Sequence, residues 1–392
     1  MSPTHVDAAL PLAGITVVAL EQAVAGPLAT RHLADLGARV VKIERPGEGD
    51  FARHYDHAVH GLASHFVWLN RGKESIVLDL KTDRGLLVAR ELIARADVFL
   101  HNTAPGVVER LGLDGPTLRD ADPRLVVVNI SGYGTSGPRK DRKAYDMLIQ
   151  AESGMVAVTG TPDTPTKTGV PSADIAAGLY STTSVLAALF RRERTGEGAI
   201  VDVSMFDSAV EWMGHPLYMQ LYGGRQIPRM GLSHAAIAPY DAYPTKDGQV
   251  LIGVQNDRGW RALVTEVFGA PEHADDSRFA TNVERVQHRA ECDALVASFT
   301  STWTTEDLDD RLAQVGIPAA QINSTAALVE HPQLAERDRW RPVATEAGEI
   351  RGVLPPMTFR DVELPMGAVP ALGEHTAAIL GELGLDSSDY QS

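Results

Sequence analysis

Cysteine and aromatic residues are scarce in this chain of 392 residues, which has one cysteine, Cys292, and 6% aromatic residues. A single thiol excludes a disulfide within the chain and any zinc site built on several thiolates. The sequence also lacks a P-loop, a GxSxG nucleophile elbow and the HExxH pattern of zinc proteases. We therefore expect no metal site, and a reducing cytoplasm as the location.

Positive charge and long apolar runs are in short supply as well. The formal net charge is −15, which disfavours nucleic acid and anionic membranes as partners, so a phosphate-bearing ligand would need a local cluster of Lys and Arg. The apolar stretch 8–29 is interrupted by Pro11, Glu21 and Pro27, which argues against a signal peptide or a membrane span. With 44% hydrophobic residues, the chain can bury a large core in more than one domain.

The first part of the chain alternates between strand-like and helix-like patterns. Apolar runs predict strands at 15–20, 39–44, 75–80, 98–100, 125–130 and 200–204, and amphipathic patterns predict helices at 27–36, 83–96, around 107, and 205–222. Persistent alternation of this kind is typical of a parallel sheet covered by helices. The fold class predicted is α/β.

A change of pattern after Gly223 and Gly224 predicts a second, smaller α+β domain at 225–315. Its predicted elements are strands at 240–244 and 249–254 and helices at 258–268, 283–300 and 305–313. Residues 1–224 and 316–392 would then form the large domain. Proline-rich linkers would lead to a final helix at 376–383.

Asp174 stands at the start of a long apolar helix that ends at Gly196 and Gly198. Asp is a favoured N-cap residue, so a purely structural role is the common interpretation. A helix dipole stabilises an anion by about 0.3–2 kcal/mol, whereas full burial raises a carboxyl pKa by about 3–5 units. If Asp174 acts as an anion, backbone N–H groups must therefore help to stabilise it.

A glycine motif and several basic residues are candidates for a nucleotide site. Gly132, Gly134 and Gly137 spell GxGxxG behind a predicted strand, but Pro138 and the charged run 139–143 follow instead of an apolar helix, which disfavours an NAD-dependent dehydrogenase. Basic residues near strand ends and helix edges could bind phosphates or be solvated. They are Arg45, Arg71, Lys73, Lys81 and Arg110, together with those of 139–143.

Several segments together resemble the class III CoA-transferases, the family of formyl-CoA transferase, carnitine-type CoA-transferases and α-methylacyl-CoA racemase. They are PLAGITVVAL, NRGKESIVLDLKT, HNTAPGVVERLGL, SGYGTSGP, RTGEGAIVDVSM and GIPAA. The resemblance implies a Rossmann-like large domain built from both chain ends, a smaller central domain, and two subunits interlocked as a homodimer.

The resemblance also implies the chemistry. Asp174 would be the nucleophile that forms an aspartyl-acyl anhydride and then an aspartyl-CoA thioester, with Tyr145 as a second catalytic residue. CoA and its thioesters would be substrates, with no permanently bound cofactor and a small carboxylic acid as acceptor. The positions that match the family's CoA contacts are Ala23, Arg45, Leu78, Lys81, Asn102, Arg110 and Lys143.

Two departures from the family pattern bear on specificity. Tyr145 and Asp146 stand where the racemases have His and Asp, which disfavours racemisation, and Val24 replaces the Gln of formyl-CoA transferase, which disfavours oxalate and formate. The resemblance is closer to enzymes that move CoA from succinyl-CoA onto a dicarboxylate than to enzymes of oxalate and formate. A racemase or isomerase that uses Asp174 as a base, and a CoA-binding protein without turnover, remain alternatives. Candidates for the pocket lining are Val24, His54, Tyr55 and His234.

Overall fold

A parallel sheet of six strands is the centre of the larger of two units in the computed structural model, which describes residues 9–386. Its strands are β1 (Thr16–Leu20), β2 (Arg39–Glu44), β3 (Lys73–Val77), β4 (Val98–His101), β5 (Val126–Ser131) and β6 (Ile200–Ser204). Their order is β3-β2-β1-β4-β5-β6, which is the order of doubly wound folds. The predicted α/β class is confirmed.

The strands form because their sequences suit burial on both faces of a sheet. Val126, Val127 and Val128 of β5 are fully buried, as a near-continuous apolar run in a parallel sheet should be. Helices of the same unit pack around the sheet. They are α1 (Ala25–Asp35), α2 (Ser64–Asn70), α3 (Asp83–Ile93), α4 (Val107–Leu111), α5 (Gly115–Ala121), α6 (Asp146–Glu152), α8 (Ser172–Thr195) and α9 (Met205–Trp212). Two further helices, α7 (Met155–Val158) and α10 (Gly214–Gly223), begin in this unit and continue into the smaller one.

Helix α8 packs closely against α1 and β5. A Cβ atom added at Gly178 would lie 2.9 Å from the carbonyl oxygen of Ala25, so a glycine lets the two helices approach. By length and composition alone α8 could cross a membrane, but half of its apolar window is buried inside the protein. It is therefore a core helix of this unit.

The C-terminal part of the larger unit closes the outer edge of the sheet. The amide of Ser75 in β3 donates to Nδ1 of His375, and the amide of Val77 donates to the hydroxyl of Thr376, at the start of α17 (Thr376–Glu382). The large domain thus draws on both chain ends, as predicted. A hairpin of β10 (Trp340–Thr345) and β11 (Gly348–Val353) lies where the sequence predicts only linkers.

The smaller unit comprises Val156–Thr166 and Pro216–Glu336, so it begins earlier and ends later than the predicted domain 225–315. The sequence pattern changes only after Gly223 and Gly224, whereas residues from Pro216 onward already pack within this unit. Its antiparallel sheet has the order β7-β8-β9. Its elements are β7 (Tyr240–Pro244), β8 (Gln249–Gly253), β9 (Ala319–Gln321), α11 (Asp257–Ala262), α12 (Asn282–Gln287), α13 (Arg289–Thr300), α14 (Thr305–Val315), α15 (Thr325–Val329) and α16 (Pro332–Glu336).

Candidate active site

Asp174 is the third residue of α8 and not its N-cap, so the alternative interpretation of this residue as a helix cap does not hold. The N-cap position is held by Pro171, whose side chain makes no capping hydrogen bond. The carboxylate of Asp146, at the start of α6, caps the helix instead. Its Oδ1 accepts from the amide of Ala173 at 2.8 Å and from the amide of Asp174 at 3.3 Å. Orphan amides of a first helical turn need such an acceptor, and here it comes from a distant segment.

Gln150 fixes the carboxylate of Asp146. Its Nε2 donates to Oδ2 of Asp146 at 2.6 Å, and its Oε1 accepts from the amide and the hydroxyl of Thr168 at 3.0 and 3.1 Å. The Gln150 side chain is fully buried, and these bonds define which end of its amide faces Asp146. Asp146 is thereby held beside the first turn of α8.

The carboxyl group of Asp174 has an unusually high pKa. Burial and the neighbouring carboxylate of Asp146 raise its pKa to about 7, while a hydrogen bond from the amide of Ala25 opposes the rise. Ala25 is the first residue of α1, where an amide has no acceptor within its own helix and is free to donate outward. The N-terminus of α1 thus favours the ionised form of Asp174, although burial and Asp146 outweigh it.

Tyr55 lies close enough to both Asp174 and Tyr145 to interact with each of them electrostatically. Burial raises the pKa of Tyr55 to about 12, and the charges of Asp50, Asp174 and Tyr145 contribute. Tyr145 directly precedes Asp146, and 63% of its surface is exposed. The structure therefore gathers Asp174, Tyr145 and Tyr55 into one candidate active site.

The other three lining candidates are distributed differently. Val24 is buried in a small apolar cluster against which Ile175, the neighbour of Asp174, also packs. His54 is exposed, with its Nε2 3.1 Å from the carbonyl oxygen of Glu48. His234 belongs to the smaller unit, where its ring stacks on Tyr240.

Four of the predicted CoA contacts follow four neighbouring strands. Ala23 comes after β1, Arg45 after β2, Leu78 after β3 and Asn102 after β4. Because these strands are parallel, the residues lie at one edge of the sheet, around the point where the strand order reverses. Ligands of doubly wound sheets bind at this edge.

The chemical character of these positions varies. Lys81, Arg110 and Lys143 are exposed, which suits phosphate binding, and Arg45 is exposed beside Glu48 at 2.9 Å. Leu78 is 3% exposed and belongs to the core. The Asn102 side chain bonds both backbone groups of Gln22, its Oδ1 accepting from the amide at 2.9 Å and its Nδ2 donating to the carbonyl at 2.8 Å.

A buried ionic cluster beneath the loop after β1 escapes prediction from the sequence. Lys42 Nζ lies 2.8 Å from Oδ2 of Asp50 and 3.5 Å from Oε1 of Glu21, and Lys73 Nζ lies 2.7 Å from the same Glu21 oxygen. Burial lowers the pKa of Lys42, but the surrounding carboxylates outweigh it and raise the pKa above its usual value. The one pattern that points here is a lysine inside the apolar strand RVVKIE.

Among the residues that the structure describes, no group of three or more His, Cys, Asp and Glu side chains could hold a metal ion.

Asp146→Asn is expected to lower the pKa of Asp174 by roughly one unit, because it removes a like charge that disfavours the ionised form. If the anion of Asp174 is the active form, activity rises with pH through about 7 in the parent protein, and this acid limb moves to lower pH in the variant. Initial rates between pH 5 and 9 measure the midpoint. Asp120→Asn, an exposed aspartate, is the control, and a midpoint that stays or rises in Asp146→Asn contradicts the interpretation.

Comparison with known proteins supplies the remaining observations. The model of the family described as CoA-transferase family III matches residues 12–376. The chain is 37% identical to a succinate–glutarate CoA-transferase of Agrobacterium fabrum, over 95% of this chain and 96% of that protein. It is also 37% identical to an acetyl-CoA:oxalate CoA-transferase of Acetobacter aceti, over 84% and 85%. A crystal structure of a CAIB/BAIF family protein from Brucella suis superposes with a TM-score of 0.85 at 38% identity, over 95% and 99%.

Proposed function

This chain belongs to CoA-transferase family III and is a CoA-transferase, and on that premise we propose that Asp174 carries the transferred groups as covalent intermediates. The observation that carries this proposal is the partly buried Asp174 carboxyl group in the first turn of α8, whose pKa is raised to about 7 and which lies close to Tyr55. No other carboxylate among the described residues combines this position with a pKa raised to about 7.

The proposed reaction has four steps. The Asp174 carboxylate attacks the carbonyl carbon of the donor thioester, a C–O bond forms, the C–S bond breaks, and CoA thiolate leaves an aspartyl-acyl anhydride. The thiolate then attacks the aspartyl carbonyl, which releases the donor acid as its carboxylate and forms an aspartyl-CoA thioester. The acceptor carboxylate attacks this thioester and regenerates thiolate and an anhydride. Finally, the thiolate attacks the acceptor's acyl carbon, and Asp174 leaves as the free carboxylate.

The residues of the site suit this sequence of steps. Nucleophiles and leaving groups are carboxylates and thiolate throughout, so no general base is needed. Each attack creates an oxyanion, which backbone N–H groups at a helix N-terminus can stabilise. The amide of Ala25, at the N-terminus of α1, lies close enough to the Asp174 carboxyl group to favour its anion.

Chemical trapping tests the proposal. Incubation with succinyl-CoA followed by hydroxylamine should convert Asp174 to the hydroxamate, and borohydride should reduce the aspartyl thioester to an alcohol. Peptide mapping by mass spectrometry locates the modified residue. Modification at another residue, or turnover with no modification, would overturn the proposal.

A base role for Asp174 is the second candidate, because a pKa near 7 also suits proton abstraction next to a thioester carbonyl. Racemisation needs a second acid-base group, and Tyr145 stands where an imidazole would be required. Incubation of a 2-methylacyl-CoA in deuterium oxide separates the two functions. A racemase incorporates deuterium at the α-carbon, whereas a transferase leaves that position unlabelled.

Succinyl-CoA is the proposed donor and a dicarboxylate the proposed acceptor. Two similar proteins are named for dicarboxylates, glutarate and oxalate. A coupled assay that offers succinyl-CoA with glutarate, oxalate or acetate tests this choice. Turnover with glutarate above that with acetate supports it, and preference for acetate contradicts it.

Arg110→Ala and Lys143→Ala are each expected to raise KM for succinyl-CoA about tenfold while kcat changes less than threefold, because each removes a cation from a proposed CoA phosphate contact. Both side chains are exposed, so the fold should be unaffected. Succinyl-pantetheine, which lacks the phosphates of CoA, should show no change in KM. Arg194→Ala, at the exposed end of α8, is the control, and unchanged KM in both variants would show that the phosphates bind elsewhere.

A homodimer is part of the proposed function. Helix α8 leaves apolar side chains exposed in the single chain, among them Leu179, Leu186 and Phe190, which is 67% exposed. Exposed apolar side chains in a row on a long helix are typical of a surface that contacts another protein. The family resemblance implies that this protein is a second copy of the same chain. Light scattering after size exclusion should give twice the mass of 42.1 kDa, and a monomer contradicts the assignment.

A further inference from the structure

We propose that Gln150 is a positioning residue for the nucleophile, because its amide group holds Asp146 against the first turn of α8, which contains Asp174. The inference rests on the proposed function, since it assumes that Asp174 reacts. It gives a role in the reaction to a buried residue of α6 that is neither a proposed catalytic nor a proposed CoA-binding position.

The first turn of α8 depends on an acceptor from another helix. Pro171 at the N-cap position makes no side-chain hydrogen bond, and the first amides of a helix have no acceptor within it. Oδ1 of Asp146 is the acceptor instead, at 2.8 Å from the amide nitrogen of Ala173 and 3.3 Å from that of Asp174. The backbone of the nucleophile is therefore bonded directly to Asp146.

The amide group of Gln150 holds the second oxygen of Asp146. The two residues are one turn apart on α6, and Nε2 of Gln150 donates to Oδ2 of Asp146 at 2.6 Å. The backbone amide of Thr168 can only donate and lies 3.0 Å from Oε1 of Gln150, so the NH2 end must face Asp146. Gln150 is fully buried, and bulk water therefore does not compete for either bond.

Gln150 also holds the segment that leads into α8. Its Oε1 accepts from the hydroxyl of Thr168 at 3.1 Å, and this hydroxyl oxygen lies 2.8 Å from that of Ser172, the first residue of α8. Ser172 is buried as well. One buried side chain thus reaches the start of α8 from two directions, through Asp146 and through Thr168.

Loss of the Gln150 amide group should therefore act on the chemical step. Without its donor the carboxylate of Asp146 is free to turn, and the amides of Ala173 and Asp174 lose a fixed acceptor. A displacement of about 1 Å between reacting groups can cost about a hundredfold in rate. The proposed phosphate contacts take no part in this arrangement, so binding of succinyl-CoA should change little.

Gln150→Met is the test variant, because methionine matches glutamine in length and has no N–H donor. With succinyl-CoA and glutarate at pH 7, we expect kcat to fall about tenfold and KM for succinyl-CoA to stay within about threefold. Thr300→Val is the matched control, since it removes a buried hydrogen bond to the carbonyl oxygen of Pro244 in the smaller unit. Both variants should unfold at lower urea concentration, but Thr300→Val should keep the kcat of the parent protein.

A double-mutant cycle tests whether Gln150 acts through Asp146. Asp146→Ala alone should lower kcat at least as much as Gln150→Met does. In the Asp146→Ala background the Gln150 amide group has no carboxylate to hold, so the added Gln150→Met substitution should lower kcat less than about twofold. If the losses of the two single variants instead multiply, Gln150 does not act through Asp146 and the inference is overturned.

The surroundings of this side chain allow a second test, of the need for a donor. Its hydrogen-bond partners are Asp146 and Thr168, and the acidic residue in the first turn of α8 is Asp174. Helix α9 also packs against α6, but its two carboxylates, Asp207 and Glu211, are exposed. A carboxyl group placed at position 150 would therefore meet the Asp146 carboxylate directly.

Gln150→Glu keeps the shape of the side chain and the acceptor for Thr168. Two carboxyl groups in contact hold one proton between them, and the second ionises only at higher pH. Protonated Glu donates to Asp146 as Gln150 does, whereas ionised Glu repels it. We expect kcat relative to the parent protein to be highest near pH 6 and to fall toward pH 9, whereas the ratio for Gln150→Met should not change with pH.

These results decide the inference even where one variant is lost. If Gln150→Met does not fold, the pH dependence of Gln150→Glu is the deciding measurement. Parental kcat in Gln150→Met, an equal loss of kcat in Thr300→Val, or a ratio for Gln150→Glu that stays constant between pH 6 and 9 overturns the inference.

Failure of this inference is distinguishable from failure of the proposed function. If Asp174 is not the nucleophile, hydroxylamine trapping in the parent protein modifies another residue. If Asp174 is the nucleophile but Gln150 does not position it, trapping at Asp174 succeeds and Gln150→Met turns over as fast as the parent.

Discussion

Asp174→Asn is expected to abolish CoA transfer, with a loss of about a thousandfold or more in kcat, while succinyl-CoA still binds. An amide side chain cannot form the anhydride or release CoA from an aspartyl thioester. The Asp174→Ala variant should behave in the same way. Steady-state rates measure the loss, and calorimetry with succinyl-CoA measures the binding that remains.

The same substitution is expected to stabilise the protein at alkaline pH. The pKa of Asp174 is about 7 in the folded protein against an ordinary value of 3.8, so the folded state binds this proton more tightly than the unfolded state. The carboxyl group therefore costs no stability below pH 3.8, costs progressively more between pH 3.8 and 7, and at pH 8 costs at most about 4 kcal/mol. Asparagine removes this cost. Urea unfolding at pH 8 and at pH 5 should show a large gain at pH 8 and a small gain at pH 5.

Asp207→Asn is the matched control for both effects. Asp207 is the third residue of α9, as Asp174 is of α8, but its side chain is exposed. We expect normal transfer and a change in the free energy of unfolding of about 0.5 kcal/mol or less. Retained transfer in Asp174→Asn, or equal stability of this variant and the parent at pH 8, contradicts the proposed role or the burial of the nucleophile.

Lys42→Met is expected to lower the free energy of unfolding by about 3–5 kcal/mol, because it leaves the buried carboxylates of Asp50 and Glu21 without their shared cation. Methionine fills a similar volume, so the lost charge and not a cavity dominates the effect. Urea unfolding at neutral pH measures the change.

Arg95→Met is the comparison for a solvated ion pair. Arg95 lies 3.9 Å from Glu91, and both side chains are about half exposed. Pairs of this kind contribute about 0–1 kcal/mol, so its removal should be nearly neutral. If Lys42→Met is no more destabilising than Arg95→Met, the ionic cluster does not hold the loop after β1.

Much of the larger unit follows from local sequence. The strand predictions 39–44 and 200–204 coincide with β2 and β6, and α3 begins at Asp83 as its pattern indicates. Periodicity succeeds here because it reflects burial within one segment. The hairpin of β10 and β11 is not predicted, because its strands are partly exposed and show no clear apolar pattern. Strands of this kind form through pairing with each other and not through the pattern of one segment.

The site itself divides in the same way. The resemblance of several segments implies Asp174 and Tyr145 as catalytic residues and four CoA contacts that the structure places directly after β1, β2, β3 and β4. The sequence alone could not identify the residues that surround Asp174. Asp146 caps the helix that carries Asp174, and Asp50 and Lys42 hold the loop after β1.

The amino-acid sequence by itself determined the α/β class, the family and the carboxylate that we propose as nucleophile, because these depend on short-range patterns and on residue identity. The tertiary structure decided which residue caps the helix that carries this carboxylate, how far the carboxylate is buried and which charge lies beside it. Those properties depend on which loops meet after the strands are ordered, and the partners involved are separated by many residues along the chain. A local sequence pattern does not reveal these long-range contacts. The pKa and the orientation of a side chain depend on the residues that the fold places beside it.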